Sequence, residues 1–236
     1  MIATAALLAT LCLPAFAQDA PAPDGADAPA EEAAEEAPAA PAGPTTYALD
    51  AGKSHLTVVV YHDPKRWTPI KGHDHAMEPS TFDGSVVWST TDAGACSVKI
   101  SFAASALQVD PSGARARANI DPDGAVGDGQ NATIKSNMLG KHQLQADQHP
   151  TISFTSSSCD GTSGKVNVAG TLKLRGKEAS VSAPMTVTAD GSSFSAKGAF
   201  SLEHKDFGME PYTLGPGTPK NLQKLLFLVD VKGSAQ

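Results

Sequence analysis

From Tyr47 onward, apolar and polar residues alternate with a period of two, and turn signals break the alternation. Val58 and Val60 alternate with Thr57, Val59 and Tyr61. Val86 and Trp88 follow the Asp83-Gly84 turn signal. Val98, Ile100, Phe102 and Ala104 are spaced by Ser97, Lys99, Ser101 and Ala103. Ile152, Phe154 and Ser156 repeat the pattern after His149-Pro150. Val166, Val168, Gly170, Leu172 and Leu174 run between Asp160-Gly161 and Arg175-Gly176, and Val181, Ala183, Met185 and Val187 end at Asp190-Gly191. Phe194, Ala196, Gly198, Phe200 and Leu202 form another set, and Leu225, Phe227, Val229 and Val231 close the chain. This spacing predicts about eight strands, several joined by short hairpin turns.

Strict alternation gives each strand one wet face and one dry face. A continuous antiparallel sheet of this kind loses its exposed edges most simply by closing on itself. The expected fold is therefore all-β, an eight-stranded antiparallel barrel. Its interior is either filled by its own side chains or holds one ligand. Many dry-face residues are Val, Ala or Gly, which leaves room for a cavity.

The pattern lapses between Asp110 and His149. Residues 110–130 are rich in Gly, Asp and Pro and read as a long loop. Residues 131–146 space Ile134, Met138 and Leu139 at helical intervals, which predicts a short helix between the central strands, interrupted at Gly140.

Two segments precede the barrel. Residues 1–17 form an apolar stretch of signal-peptide length ending in Ala15-Phe16-Ala17, so cleavage after Ala17 is expected. No Lys or Arg precedes that stretch, a departure from the usual pattern. Leu11 is bulky where a lipoprotein signal needs a small residue, so Cys12 is read as part of the signal. Residues 18–45 are almost wholly Ala, Pro, Asp and Glu, and this composition predicts a disordered, extended linker. The barrel domain is expected over 46–236.

Charge follows this division. The chain carries 18 basic and 25 acidic residues, and seven of the acids lie in the linker, so the remainder is formally neutral. Such a chain lacks the basic face that a general nucleic-acid binder needs. No apolar run reaches the roughly 20 residues of a spanning helix. Membrane contact, if any, is expected to be transient. The oligomeric state is left open, a homodimer included.

Removing the signal leaves Cys96 and Cys159. An even pair in an exported chain suggests one disulfide. Cys96 opens one alternating segment and Cys159 closes another, so the two meet if those strands are antiparallel neighbours. Two unpaired thiols are the alternative. Such a bridge closes a loop of about 64 residues, for which chain entropy gives at most about 4 kcal/mol.

Several stretches resemble the YceI-like family of polyisoprenoid-binding proteins. Tyr47-Ala48-Leu49-Asp50 with Ser54-His55-Leu56-Thr57-Val58 is similar to its opening strand. Gly72-His73-Asp74-His75 followed by Phe82-Asp83-Gly84 resembles its next block, and His149-Pro150 through Phe154 and Ser156 resembles a central strand. Val168 through Gly176, with Gly170, Leu172 and Leu174, resembles a hairpin, and Asp206-Phe207-Gly208 the segment before the last strand. The resemblance spans about Thr46 to Gly233, with five motifs in order. It implies a lipocalin-like barrel with an elongated apolar interior in an exported, periplasmic protein. The implied partner is a long isoprenoid such as a quinone or polyprenyl lipid, with no cofactor. The acidic linker and the Gly/Asp-rich loop are extra. That loop is expected to cover the barrel mouth and with it to change the ligand type.

The expected lipid-contacting set is the dry face: Val58, Val60, Val86, Trp88, Ile100, Phe102, Ile152, Phe154, Val168, Leu172, Phe200, Leu202, Phe227 and Val229. An isoprenoid gains about 0.8 kcal/mol for each methylene it buries, so binding needs little polar chemistry.

His73-Asp74-His75 is the most chemically pointed spot. On a strand the two histidines would share one face within reach of a metal ion, with His204, on a strand near the end, as a third candidate ligand. The alternative function is thus a metal-binding or metal-dependent envelope protein using His73 and His75. A structural or adhesive envelope domain with a filled barrel is a third reading. No Gly-x-Ser-x-Gly elbow, Walker loop or His-Glu-x-x-His motif occurs, so no enzyme is expected.

Overall fold

A computed structural model describes residues 43–66 and 71–236. The expected signal and its cleavage site, and the expected linker up to residue 42, lie outside the described residues. Eleven antiparallel strands follow: β1 Thr45–Leu49, β2 His55–His62, β3 His75–Pro79, β4 Asp83–Trp88, β5 Ser97–Ala103, β6 Leu107–Val109, β7 Thr151–Asp160, β8 Gly164–Leu174, β9 Lys177–Ala189, β10 Ser193–Glu203 and β11 Asn221–Ala235. Two helices, α1 Ala114–Arg117 and α2 Asp128–Leu139, lie between β6 and β7. β1 begins at Thr45, one residue before the expected domain start.

Eight strands close the barrel in the order β1-β4-β5-β7-β8-β9-β10-β11, and β11 returns to β1. Closure depends on β11, which is long enough to take two partners along one edge. Near its C-terminus Gly233–Ala235 pair with β1, and Asn221–Asp230 pair with β2. The chain breaks between β1 and β2 at Asp50–Ser54, where Ser54 Oγ exchanges hydrogen bonds with Lys232. From β2 the sheet continues through β3 to β6, a three-stranded extension of the barrel wall.

Hairpin chemistry sets the register of the long strands. Arg175 and Gly176 both have positive φ (53° and 67°) between β8 and β9, as a two-residue turn matching strand twist requires. Between β9 and β10 the Asp190 carboxylate accepts from the backbone N–H of Ser192 and Ser193. Those bonds, the one from Ser193 N–H foremost, together with the hydroxyls of Ser192 and Ser193, lower its pKa to about 2.

Cys96 and Cys159 form a disulfide with Cα atoms 5.8 Å apart. β5 and β7 are antiparallel neighbours, so the start of one meets the end of the other.

Segment 110–130 differs from the expected loop. It contains α1 and a 3-10 turn at Pro122–Gly124, and α2 already begins at Asp128. It also packs on the outside of the wall. Val59 and Ala76, on the outer faces of β2 and β3, are fully buried by Ala114, Ala118 and Ile120. Tyr61, Leu226 and Leu228 complete this second core. Here the wall is apolar on both faces, which explains the unbroken runs Val58–Val60 and Leu225–Val229. The helix expected over 131–146 occupies 128–139 and is terminated at Gly140. Its Ile134, Met138 and Leu139 pack against the main core together with buried Leu144.

Buried ion pairs pin the segment down. Asp110 Oδ1 accepts from Ala76 N–H at 2.8 Å, and Oδ2 lies 2.8 Å from His75 Nδ1 and 3.1 Å from Arg115 Nη1. Arg115 Nη1 also donates to Asp74 O at 2.6 Å. Glu78 receives Arg117 Nη2 at 2.7 Å and Thr57 Oγ1 at 2.6 Å. Burial acts to raise both carboxyl pKa values, but the hydrogen bonds outweigh it and both end lowered.

Candidate functional site: an apolar chamber inside the barrel

Period-two alternation places one row of each strand inside the barrel. β8 and β9 show it most cleanly, with buried and exposed residues taking turns over most of their length. At one end, aromatic rings close the interior. Tyr47 and Trp88 each pack against Phe194, with ring centroids 5.5 and 5.8 Å apart. The Trp88 indole N–H donates to Thr162 O at 3.0 Å, so this buried ring leaves no polar group unpaired. Further along the chamber, Phe200 and Phe227 stack across β10 and β11 at 4.8 Å, with planes only 2° apart.

The rows enclose a cavity of about 150 Å³ whose exposed lining is almost wholly apolar. Of the residues expected to contact lipid, Val58, Val86, Trp88, Ile100, Phe102, Ile152, Phe154, Val168, Leu172, Phe200, Phe227 and Val229 line it. Val60 and Leu202 do not; they pack against the same core near the strand ends, beyond the cavity. The lining also includes Leu56, Val98, Leu107, Leu174, Val181, Ala183, Met185, Val187, Phe194, Ala196 and Val231, with Thr57, Ser153 and Leu228. Most of these share the rows of the expected residues, so period two was the signal that could have found them. Leu107 had no such signal, because β6 is only three residues long.

No charged side chain lines the cavity. Thr57 and Ser153 are its hydroxyl residues, and the Thr57 hydroxyl is engaged by Glu78. Such a lining can exclude water and accept hydrocarbon of varied shape, but it offers little to hold a polar headgroup.

The histidines are arranged otherwise than expected. Within His73-Asp74-His75, only His75 belongs to a strand; His73 and Asp74 precede β3, so the two imidazoles do not share a strand face. Their ring centroids are 6.3 Å apart. His73 Nδ1 lies 3.1 Å from Gly124 O, and His75 Nδ1 is bonded to Asp110. Asp74 is held by His62, whose Nδ1 is 2.7 Å from Oδ1. His204 lies in a 3-10 turn, His204–Phe207, rather than on a strand, because Glu203 and Asp206 cap that turn reciprocally. Among the described residues, no three His, Cys, Asp or Glu side chains gather into a group that could hold a metal ion.

Fold and chamber together define a lipocalin-like barrel built around an apolar cavity. The YceI-like domain model matches residues 47–225, and the chain belongs to that family. Among solved structures, Burkholderia cenocepacia BcnA is 18% identical, with a TM-score of 0.57 over 78% of this chain and 98% of that one. A polyisoprenoid binding domain from Saccharophagus degradans, described as implicated in plant cell wall breakdown, is 12% identical. Its TM-score is 0.55 over 81% of this chain and 99% of that one. Comparison with curated proteins finds no match. Among the described residues, no helix is long and apolar enough to cross a membrane.

Proposed function

We infer that this chain is an exported, periplasmic lipid-binding protein that carries or stores an isoprenoid, a quinone or polyprenyl lipid, in its barrel. The observation that carries the reading is the chamber, a cavity lined along its length by Val, Leu, Ile, Met and Phe with no charged group. Family membership supports it, as does a related barrel described as polyisoprenoid binding. An isoprenoid chain suits this lining because each buried methylene contributes about 0.8 kcal/mol without needing a polar partner. The headgroup then stays at the chamber mouth. The activity is binding and release, with no bond made or broken. The N-terminal apolar segment with Ala15-Phe16-Ala17 supports export.

Native mass spectrometry of the protein from its own periplasm tests the reading. The expected result is a mass excess that is lost on denaturation and matches an isoprenoid in the solvent extract. A bare mass, together with no uptake of added quinone, would overturn it.

A further inference from the structure

The two ends of the chamber are closed in different ways. At one end the closure belongs to the strands themselves. Tyr47 comes from β1, Trp88 from β4 and Phe194 from β10, and all three are buried. Trp88 and Phe194 line the cavity, and Tyr47, outside the lining, packs against Phe194. Tyr47 stands opposite Val86 on β4 and Ala235 on β11, and Phe194 opposite Ala189 on β9 and Gly233 on β11. The Trp88 indole is fixed by Thr162 O in the turn between β7 and β8. At this same end the Cys96–Cys159 disulfide joins the residue before β5 to the end of β7. No part of this closure can swing aside without unpairing a strand.

The opposite end is covered by connections. Phe207 and Met209, from the segment after β10, and Leu144, from the segment after α2, are buried against the core. α2 lays Ile134, Met138 and Leu139 on the core, yet none of its residues is completely buried. Side-chain hydrogen bonds tie this cover down: Gln143 Nε2 donates to Glu210 O at 3.0 Å, and Arg175 Nη1 to Phe207 O at 3.2 Å. Displacing it breaks no strand pairing of the barrel, so a chain enters here and meets the aromatic end as a blind one. Between the ends the bore is kept open. Met185 lies over Gly198, where any Cβ would collide with its sulfur and turn it inward. On β9 the lining runs from Val181 to Val187, about 20 Å of strand and about 15 Å of depth at the usual barrel tilt.

A bore with one blind end has a finite depth, and a hydrocarbon chain gains only from the part it lays inside. We propose that Phe194 and Trp88, backed by Tyr47, form the floor of the chamber and set the length of isoprenoid chain that it takes up. The inference rests on the lipid-binding reading and adds which residues select among chains of the same chemistry. Each methylene laid inside raises affinity about fourfold until the chain reaches the rings, and further units stay outside and add nothing.

Competition among ubiquinone homologues of increasing isoprenoid length, read by native mass spectrometry of the full chain, tests it. For the unmodified protein, affinity should rise with length and then level off. Ala196 lines the bore one inward position from Phe194, opposite Val231. Ala196→Leu raises the floor and should move the plateau to a homologue shorter by about one isoprene unit. Phe194→Ala lowers it, because the wall relaxes only partly around the missing ring, and should move the plateau to a longer homologue by a similar step. A merely structural role for Phe194 would instead weaken all homologues alike. Ala196→Leu decides the question if Phe194→Ala does not fold. Affinity that rises without levelling, or a plateau that Ala196→Leu leaves in place, overturns the floor proposal while the carrier reading stands. Binding of no homologue by the unmodified chain would overturn the carrier reading, and this inference with it.

Discussion

The ring of Phe154 lies directly over Gly170 on the neighbouring strand. A Cβ at position 170 would come within 2.6 Å of Phe154 Cζ and 2.5 Å of Thr155 O. The glycine thus makes room for an aromatic ring that lines the chamber, and it lets β7 and β8 approach at the bulge between Ser156 and Ser158. Gly170→Ala has no free direction in which to relax, because one neighbour is backbone. It should destabilise the barrel by about 1–3 kcal/mol and displace Phe154. Urea unfolding measures the first effect and quinone titration the second. Unchanged values in both would show that the strands yield at no cost.

Ala183 offers the opposite test. It lines the cavity on β9 and is already buried. Ala183→Leu adds apolar volume to open space rather than against packed atoms, so stability should fall by less than the about 1–3 kcal/mol that overpacking costs. Ligand uptake should nevertheless fall, because the added atoms occupy the site of the chain. Native mass spectrometry beside thermal unfolding separates the two quantities. A variant that unfolds easily would mean the cavity wall cannot accommodate the leucine.

The disulfide should stabilise the barrel without defining it. Cys96 and Cys159 lie 63 residues apart in sequence, and their strands are already paired through the Lys99–Ala103 ladder. Replacing both with serine should cost up to about 4 kcal/mol, chiefly by freeing the unfolded chain. The far-ultraviolet spectrum should remain that of the folded barrel. Collapse of that spectrum would mean the bridge is needed for closure itself.

How much of this could be read beforehand depends on which faces are wet. β8, β9 and β10 expose one side, so period two is visible in Val166 through Leu202, and the chamber rows followed from it. β2 and β11 are covered on both sides where α1 packs, so Val59, Leu226 and Leu228 break the alternation and leave the second core without a period-two signal. Ala114 and Ala118 stand one helical turn apart, with Ile120 close behind. Among Gly, Asp and Pro this signal was too short to override a loop assignment. β1, β3 and β6 have at most five residues, too few for a period. His204 continued the alternation of β10, but the reciprocal cap between Glu203 and Asp206 ends the strand before it.

Acid should loosen segment 110–125 first. Asp110 and Glu78 have folded-state pKa values below their ordinary ones, held there by His75, Ala76 N–H and Arg115, and by Arg117 and Thr57, against the opposing effect of burial. As pH falls, the unfolded chain takes up these protons first, near about pH 4. The stabilisation is therefore complete above that range and is lost as pH drops through the lower folded values. Asp110→Asn leaves Arg115 without its buried partner and should cost about 3 kcal/mol at neutral pH. It should also flatten the acid limb of stability against pH. Parallel limbs for the two proteins would show that Asp110 titrates alike folded and unfolded.

A second, milder pH dependence should come from His204. Its imidazole is almost fully buried beside Phe207, and Nδ1 lies 2.9 Å from Gln223 O. A carbonyl can only accept, so Nδ1 carries the hydrogen and the ring can remain neutral there. Burial lowers the pKa, opposed by that hydrogen bond and by the charge of Glu210. An unfolded imidazole protonates near about pH 6.5, so below that point the unfolded state binds the proton and the folded state resists it. Stability should thus be full above about pH 6.5, fall as pH drops toward the lower folded value, and level off beneath it. His204→Gln keeps a donor for Gln223 O and removes the titration. It should lose about 1 kcal/mol at neutral pH, through imperfect geometry, and show a shallower decline in acid. Thermal unfolding across a pH series resolves the difference, and equal slopes for the two proteins would show that burial of His204 has no bearing on its proton affinity.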